Sequence, residues 1–156
     1  MTTTLPDLRA DLFSQAPDGI IFADREGLVR EWNAAAERIF GFSSAEAIGQ
    51  SLDLIIPEPL RTAHWKGYDR ALAAGETIYT GKALPTKALR RDGETIYVEL
   101  SFAIVHEAGG AVAGALAHAR DITERWGAER EMRRRLRSLE QDAEHLEVTP
   151  NPPTAS

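Results

Sequence analysis

Two hydrophobic periodicities alternate along this chain, one typical of strands and the other typical of helices. Over residues 98–104, large apolar side chains alternate with polar or small ones, as expected of a strand with one buried face. Leu60, His64 and Tyr68 recur every four residues, a spacing that places them on one face of a helix. Both types of element are therefore expected in one fold.

Capping and turn residues mark the limits of the other elements. Residues 5–15 read as a short amphipathic helix, and Asn33 and Gly41 bracket a second helix. A longer helix with prolines at its start is expected over 57–74. Strands are predicted at 20–22, 28–32, 77–87, 95–106 and 111–120. This order predicts an α+β fold in which short helices cover one face of a five-stranded antiparallel sheet.

Residues 123–147 carry a 3.5-residue hydrophobic repeat. The apolar seam of this repeat is formed by Met132, Leu136, Leu139, Ala143 and Leu146. Such a repeat is typical of a coiled coil, so this segment is expected to form a homodimer. In a parallel pair Arg135 would face Glu140 of the partner subunit favourably, but Asp142 would face Glu147 of the partner subunit unfavourably. The alternative is a helix that folds back onto its own domain.

Composition narrows the range of partners and chemistries. The chain of 156 residues has a formal net charge of -6, which argues against a nucleic-acid partner because such partners favour a basic face. No run approaches the roughly 18 apolar residues of a membrane span, and the N-terminus lacks a secretory signal, so a cytoplasmic location is expected. Cysteine is absent, which removes disulfides, thiolate metal sites and cysteine nucleophiles. No phosphate-binding loop or nucleophile motif points to an enzyme.

The helical spacing singles out His64 as the candidate functional residue. An imidazole on an apolar helix face must find partners for two ring nitrogens, and iron is one such partner. A buried histidine that only forms hydrogen bonds to neighbouring groups is the alternative. The other histidines are His106, His118 and His145, and the four do not have the spacing of a zinc site.

Four passages together resemble the PAS domain family. They lie at 16–21 (APDGII), 32–42 (WNAAAERIFGF), 91–94 (RDGE) and 119–125 (ARDITER). The resemblance covers roughly residues 10–125 and implies a PAS fold followed by a helix in the place that PAS proteins use for signal output. The expected organisation is an N-terminal amphipathic helix at 1–15, a PAS sensor domain at 16–122, a signalling and dimerisation helix at 123–147 and a disordered tail at 148–156.

Residues 57–64 (PEPLRTAH) more narrowly resemble the segment that supplies the proximal haem ligand in FixL-type oxygen-sensor kinases. His64 falls on the ligating histidine, and Arg70 falls where those sensors place an arginine near a haem propionate. Leu100 and Phe102 fall on the strand positions that line the gas side of their haem. The resemblance therefore implies a haem b cofactor.

Leu84 departs from that family pattern, because it takes the position of the distal arginine that steadies bound oxygen. Leucine cannot donate a hydrogen bond, so carbon monoxide, nitric oxide or a second protein ligand at the iron is favoured over strong oxygen binding. The expected haem site has His64 as the proximal iron ligand and ten further residues around the ring. These are Arg70, Tyr68, Ile56, Leu72, Ile78, Leu84, Val98, Leu100, Phe102 and Leu116.

His118 shares a predicted strand face with Leu116 and is the reserve iron ligand. The function expected from this site is detection of a diatomic gas (O2, CO or NO) or of a redox state by a haem-b-binding PAS sensor. The signal would pass through residues 123–147 to a dimer partner or to an unidentified signalling protein. One alternative is a PAS interaction module with no cofactor or with a small organic ligand. A flavin-binding redox PAS domain, with Trp65 or Trp126 as electron partner, is another.

Overall fold

The computed structural model describes residues 5–79 and 81–147; residues 1–4, 80 and the predicted tail at 148–156 lie outside the described residues. The helices are α1 Leu5–Ser14, α2 Ala34–Phe40, α3 Ser44–Ala47, α4 Glu58–Ala74 and α5 Thr123–Glu147, with one 3-10 turn at Leu52–Ile55. The strands are β1 Gly19–Asp24, β2 Val29–Trp32, β3 Leu84–Leu89, β4 Thr95–His106 and β5 Val112–Asp121.

The five strands form one antiparallel sheet in the order β2-β1-β5-β4-β3, which confirms the predicted α+β class. The first strand lies beside the last one, with Ile21 opposite Ala117. Because side chains alternate between the two faces of a strand, this register decides which residues face the helices. Ile21, Val98 and Ala119 are buried in the core, so their face of the sheet is the inner, helix-covered face.

Asn33 joins β2 to α2 and is the one polar residue buried in the core among the described residues. Its Oδ1 accepts hydrogen bonds from the backbone nitrogens of Ile20 (2.8 Å) and Ala36 (3.0 Å), so it caps α2 as predicted. Its Nδ2 donates to the carbonyls of Phe13 and Asp18, both at 3.1 Å. One buried amide therefore ties the start of α2 to β1 and to the end of α1.

The third strand is shorter than the predicted 77–87, because hydrogen-bonded turns form in the first half of that segment. The Thr77 hydroxyl accepts a hydrogen bond from the backbone nitrogen of Tyr79 at 3.1 Å, and the Lys82 nitrogen donates to the Tyr79 carbonyl at 2.9 Å. Gly81 has a φ of 74°, which the left-handed region allows to glycine. These local bonds compete with strand pairing, so β3 begins only at Leu84.

The chain divides into two compact units between Ile122 and Thr123. The second unit contains α5, a helix of 25 residues in which Met132, Leu136 and Leu139 are exposed. Among the residues that the structure describes, no helix is both long and apolar enough to cross a membrane.

Candidate functional site

Helix α4 carries the candidate histidine on its inward face. Pro59 lies in the first turn, where a missing N–H costs nothing, and Gly75 ends the helix with a φ of 72°. No residue of α4 is fully buried, but His64, Trp65 and Tyr68 are half-buried on adjacent turns. The helix is therefore only partly covered by the rest of the domain, and this aromatic group lies on its more buried side.

Trp65 and Tyr68 anchor α4 to two other segments of the domain, the 3-10 turn and the end of β1. The Trp65 Nε1 donates a hydrogen bond to Asp53 Oδ1 at 2.8 Å. The Tyr68 hydroxyl donates to the carbonyls of Asp24 (2.5 Å) and Ala23 (3.2 Å) at the end of β1. Burial, together with the nearby Asp24 carboxylate, raises the pKa of Tyr68 to about 12, so this hydroxyl stays protonated and bound to the strand. Both anchors fix the turn of helix on which His64 lies.

His64 packs against two aromatic rings of α4. Its ring centroid lies 4.8 Å from that of Trp65, edge to face at 79°, and 5.8 Å from that of Tyr68. Its Nδ1 is buried and has no hydrogen-bond partner among the described residues. Burial lowers the pKa of His64, and the negative charge of Asp53 opposes this only in part. At neutral pH the site therefore holds an uncharged imidazole, the form that ligates metals.

An apolar patch lies on the inner face of β3 and β4. Leu84 is opposite Leu100, and Phe102 is opposite Ala117, the core partner of Ile21. Leu84, Leu100 and Phe102 therefore share the helix-covered face, and all three are half-buried. Such partly covered side chains are suited to line an apolar ligand.

The other residues of the expected site are less uniform in placement. Val98 is fully buried and belongs to the closed core. Ile56 is half-buried against that core, and Leu72 is half-buried on α4. Arg70 is exposed on α4, as a residue that meets a propionate at the mouth of a site would be. Ile78 does not belong in the set, because it lies in the turn before β3 with 77% of its surface exposed.

The placement of Leu116 and His118 corrects the sequence interpretation. These residues pair with Phe22 and Ile20, so they lie on the outer face of the sheet, while Ala117 between them takes the inner face. His118 is also exposed. Neither residue reaches the face that carries Leu100, so His118 is excluded as reserve iron ligand and Leu116 as a lining residue.

Sequence reasoning missed Asp53, which binds Trp65 and acts electrostatically on His64. It lies in the 3-10 turn, eleven residues before His64, where no helical spacing links the two.

A surface cavity of about 410 Å³ was also not predicted; it is lined by Gly41 and residues 90–92, not by His64. His64, whose Nδ1 is buried without a partner among the described residues, is a stronger candidate for a binding site than this open cavity. Within the described ranges, no three His, Asp or Glu side chains cluster as metal ligands.

Comparisons with known proteins agree with this architecture. A family model described as the PAS fold matches residues 13–126. The chain is 31% identical over 130 residues to the sensor protein FixL of Bradyrhizobium diazoefficiens, a match that covers 83% of this chain and 25% of that protein. It is 27% identical over 91 residues to the oxygen sensor protein DosP of Escherichia coli, covering 58% of this chain and 11% of that protein.

A solved PAS domain from Colwellia psychrerythraea superimposes on this fold with a TM-score of 0.68 at 24% identity, over 78% of this chain and 99% of that one. This likeness concerns the fold alone. The chain spans a quarter or less of the length of the two curated relatives, at 25% and 11%.

Proposed function

Because the chain belongs to the PAS family, and is a PAS sensor domain related to FixL and DosP, we propose that it binds haem b through His64. The observation that carries the proposal is the buried Nδ1 of His64, which has no partner among the described residues. A buried polar atom without a partner costs about 1–3 kcal/mol, so it is rare in a native fold. A ligand that binds this nitrogen would remove that cost.

His64, the inner face of β3 and β4, and Arg70 on α4 have the chemistry that such a group requires. The lowered pKa of His64 keeps its imidazole neutral, so that a ring lone pair is free for iron. Leu84, Leu100 and Phe102 supply an apolar surface that excludes water, and the exposed Arg70 supplies a cation for a propionate. Haem, when bound, would supply an iron centre able to bind a diatomic gas or to change its redox state.

Leu84 sets the expected choice of gas. It lies on the inner face opposite Leu100 and has no group that donates a hydrogen bond. Oxygen depends more than carbon monoxide on such a donor, because charge develops on bound oxygen. We therefore favour carbon monoxide, nitric oxide or a redox change over oxygen as the signal, and expect Leu84→Gln to raise oxygen affinity relative to carbon monoxide affinity.

The output of the sensor is proposed to run through α5. PAS domains are sensory and signalling modules, and we propose that this chain has no catalytic activity of its own. The exposed apolar seam of α5 favours homodimerisation, and a downstream signalling protein would receive the signal. The absence of nucleic acid from this scheme rests on the net charge of -6.

Absorption spectroscopy of the purified chain tests the haem proposal. Spectra are recorded as isolated, after addition of hemin, and after reduction under carbon monoxide, for the wild type, His64→Ala and His118→Ala. We expect a Soret band that shifts with carbon monoxide in the wild type and in His118→Ala, and its loss in His64→Ala. Circular dichroism checks that the variants are folded. A spectrum with hemin that is the same in all three proteins would refute the assignment of His64.

A further inference from the structure

Helix α5 has an uneven distribution of charge along its length. Arginines crowd its middle, at Arg130, Arg133, Arg134, Arg135 and Arg137. Acidic residues follow in its last turns, at Glu140, Asp142, Glu144 and Glu147. Two such helices laid side by side in the same direction place like charges together. In opposite directions they place the basic segment of each against the acidic segment of the other.

The seam has a register that suits the opposite direction. When Leu136 packs on Leu139 of the partner subunit, antiparallel geometry also brings Met132 onto Ala143 of the partner subunit. The long Met132 side chain then fills the space beside the small Ala143, and the same contacts repeat by two-fold symmetry. In a parallel pair Ala143 would face Ala143 of the partner subunit, which leaves that layer of the seam poorly filled. In the antiparallel pair these four layers are filled, and Leu146 lies at the end of the seam, opposite Glu129 of the partner subunit.

The charges that flank the seam agree with this register. In the antiparallel pair Arg135 lies beside Asp142 of the partner subunit, and Arg133 lies beside Glu140 of the partner subunit. Symmetry makes each contact occur twice, and all four are attractive. The parallel pair gains the contact of Arg135 with Glu140 of the partner subunit but suffers repulsion between Asp142 and Glu147 of the partner subunit.

These flanking charges are available in the single chain. Arg133, Glu140 and Asp142 form no ion pair within the part of the chain that the structure describes. Arg135 lies 3.4 Å from Glu131 on its own helix, an exposed contact of the kind that contributes little to stability. Met132, Leu136 and Leu139 are each more than half exposed, at 63%, 55% and 65%.

We propose that α5 pairs antiparallel with α5 of a second copy of this chain, with the two helices crossing between Leu136 and Leu139. This inference rests on the proposed dimerisation through 123–147 and adds its direction and register. Opposite directions would carry the two PAS domains to opposite ends of the helix pair. The signal would then be read as the strength of association and not as rotation of two parallel helices.

Cysteine cross-linking in the full chain tests the direction of pairing, and the absence of native cysteine makes it clean. Met132→Cys and Ala143→Cys are each oxidised alone and then as an equimolar mixture, and cross-linked dimer is measured on a non-reducing gel. In the antiparallel pair the two copies of position 132 are about 16 Å apart along the axis, at 1.5 Å per residue. A disulfide needs Cα atoms within about 7 Å.

We expect little cross-linking of either variant alone and at least a fivefold increase in the mixture. Self-linking of both single variants, with no gain on mixing, would show a parallel pair and overturn the proposal while the proposed dimerisation stands. A monomer by light scattering with no cross-link in any sample would overturn both. The hemin spectrum of the same samples reports on His64 separately, so loss of dimerisation and loss of haem binding are distinguishable.

Discussion

Replacing His64 with leucine separates a binding histidine from a structural one. If the imidazole serves a ligand, the apo-protein gains nothing from its Nδ1 atom, which is buried without a partner among the described residues. His64→Leu keeps most of the side-chain volume and removes that atom. We therefore expect the apo-protein to become more stable while its capacity to bind hemin is lost.

The size of the effect follows from two opposing contributions. Removing an unsatisfied buried polar atom stabilises the fold by about 1–3 kcal/mol. Two ring contacts are lost. The edge-to-face contact with Trp65, at 4.8 Å, has a preferred geometry and costs about 0.5–1.5 kcal/mol, whereas the contact with Tyr68, at 5.8 Å with the rings tilted by 34°, contributes less. Leucine packing restores part of both, so the net expectation is a gain of about 1 kcal/mol.

Urea unfolding of the apo-protein, followed by far-ultraviolet circular dichroism, measures this change. With a slope of about 2 kcal/mol per M, the midpoint should rise by about 0.5 M. The matched control is Trp65→Leu, which removes the hydrogen bond to Asp53 and the packing of the indole on Gly27, so stability should fall by about 2 kcal/mol. If His64→Leu lost 1 kcal/mol or more, the imidazole would be a structural residue and our reasoning would be wrong.

Three further predictions concern the frame around the site. Asn33→Ala removes four hydrogen bonds of a buried amide and should lower the free energy of unfolding in urea by about 3 kcal/mol; a loss under 1 would contradict this. Tyr68→Phe leaves the Asp24 carbonyl without its hydroxyl donor and should cost about 1 kcal/mol, read from the same curves. Burial raises the pKa of the Asp24 carboxyl, but hydrogen bonds from Leu28 and Arg30 outweigh it and hold the pKa below 3.8. The ionised Asp24 carboxylate therefore contributes fully to the free energy of unfolding above that pH, and this contribution is lost as the pH falls below it. In Asp24→Asn, the acidic part of a curve of unfolding free energy against pH should be flatter.

Local patterns were sufficient to predict elements whose limits depend on local chemistry. The fourth strand occupies 95–106 as predicted, because its alternation extends over many residues. Helix α2 is capped by Asn33 before its first residue and by Gly41, whose φ is 81°, after its last one, and both limits follow from capping alone. The helical spacing also placed His64 on the half-buried face of α4. Its neighbour Asp53 depends on tertiary structure and could not be predicted in this way.

The faces of β5 show why hydrophobicity alone misled the site prediction. Leu116 is larger and more apolar than Ala117, so pattern reasoning places it inside. The structure does the opposite, because α2 packs closely on the sheet next to β5: a Cβ at Gly19 would lie 3.3 Å from the Ala36 Cα. Small residues are required where backbones approach so closely, and Ala119 lies opposite Gly19. A steric demand set by tertiary packing thus reversed the order that side-chain size suggests.

The other polar groups of the core form hydrogen bonds, which makes one unsatisfied buried atom significant as a sign of a binding site. The buried Asn33 amide uses both its donor and its acceptor atoms, and the Trp32 Nε1 donates to the Phe42 carbonyl at 3.0 Å. The Trp65 Nε1, one residue from His64, has its carboxylate at 2.8 Å. A fold that satisfies these groups so consistently leaves one buried side-chain atom unpaired within its described residues, the Nδ1 of His64. An unpaired buried nitrogen is expected to weaken the apo-protein, and the proposed binding of a ligand at His64 would account for it.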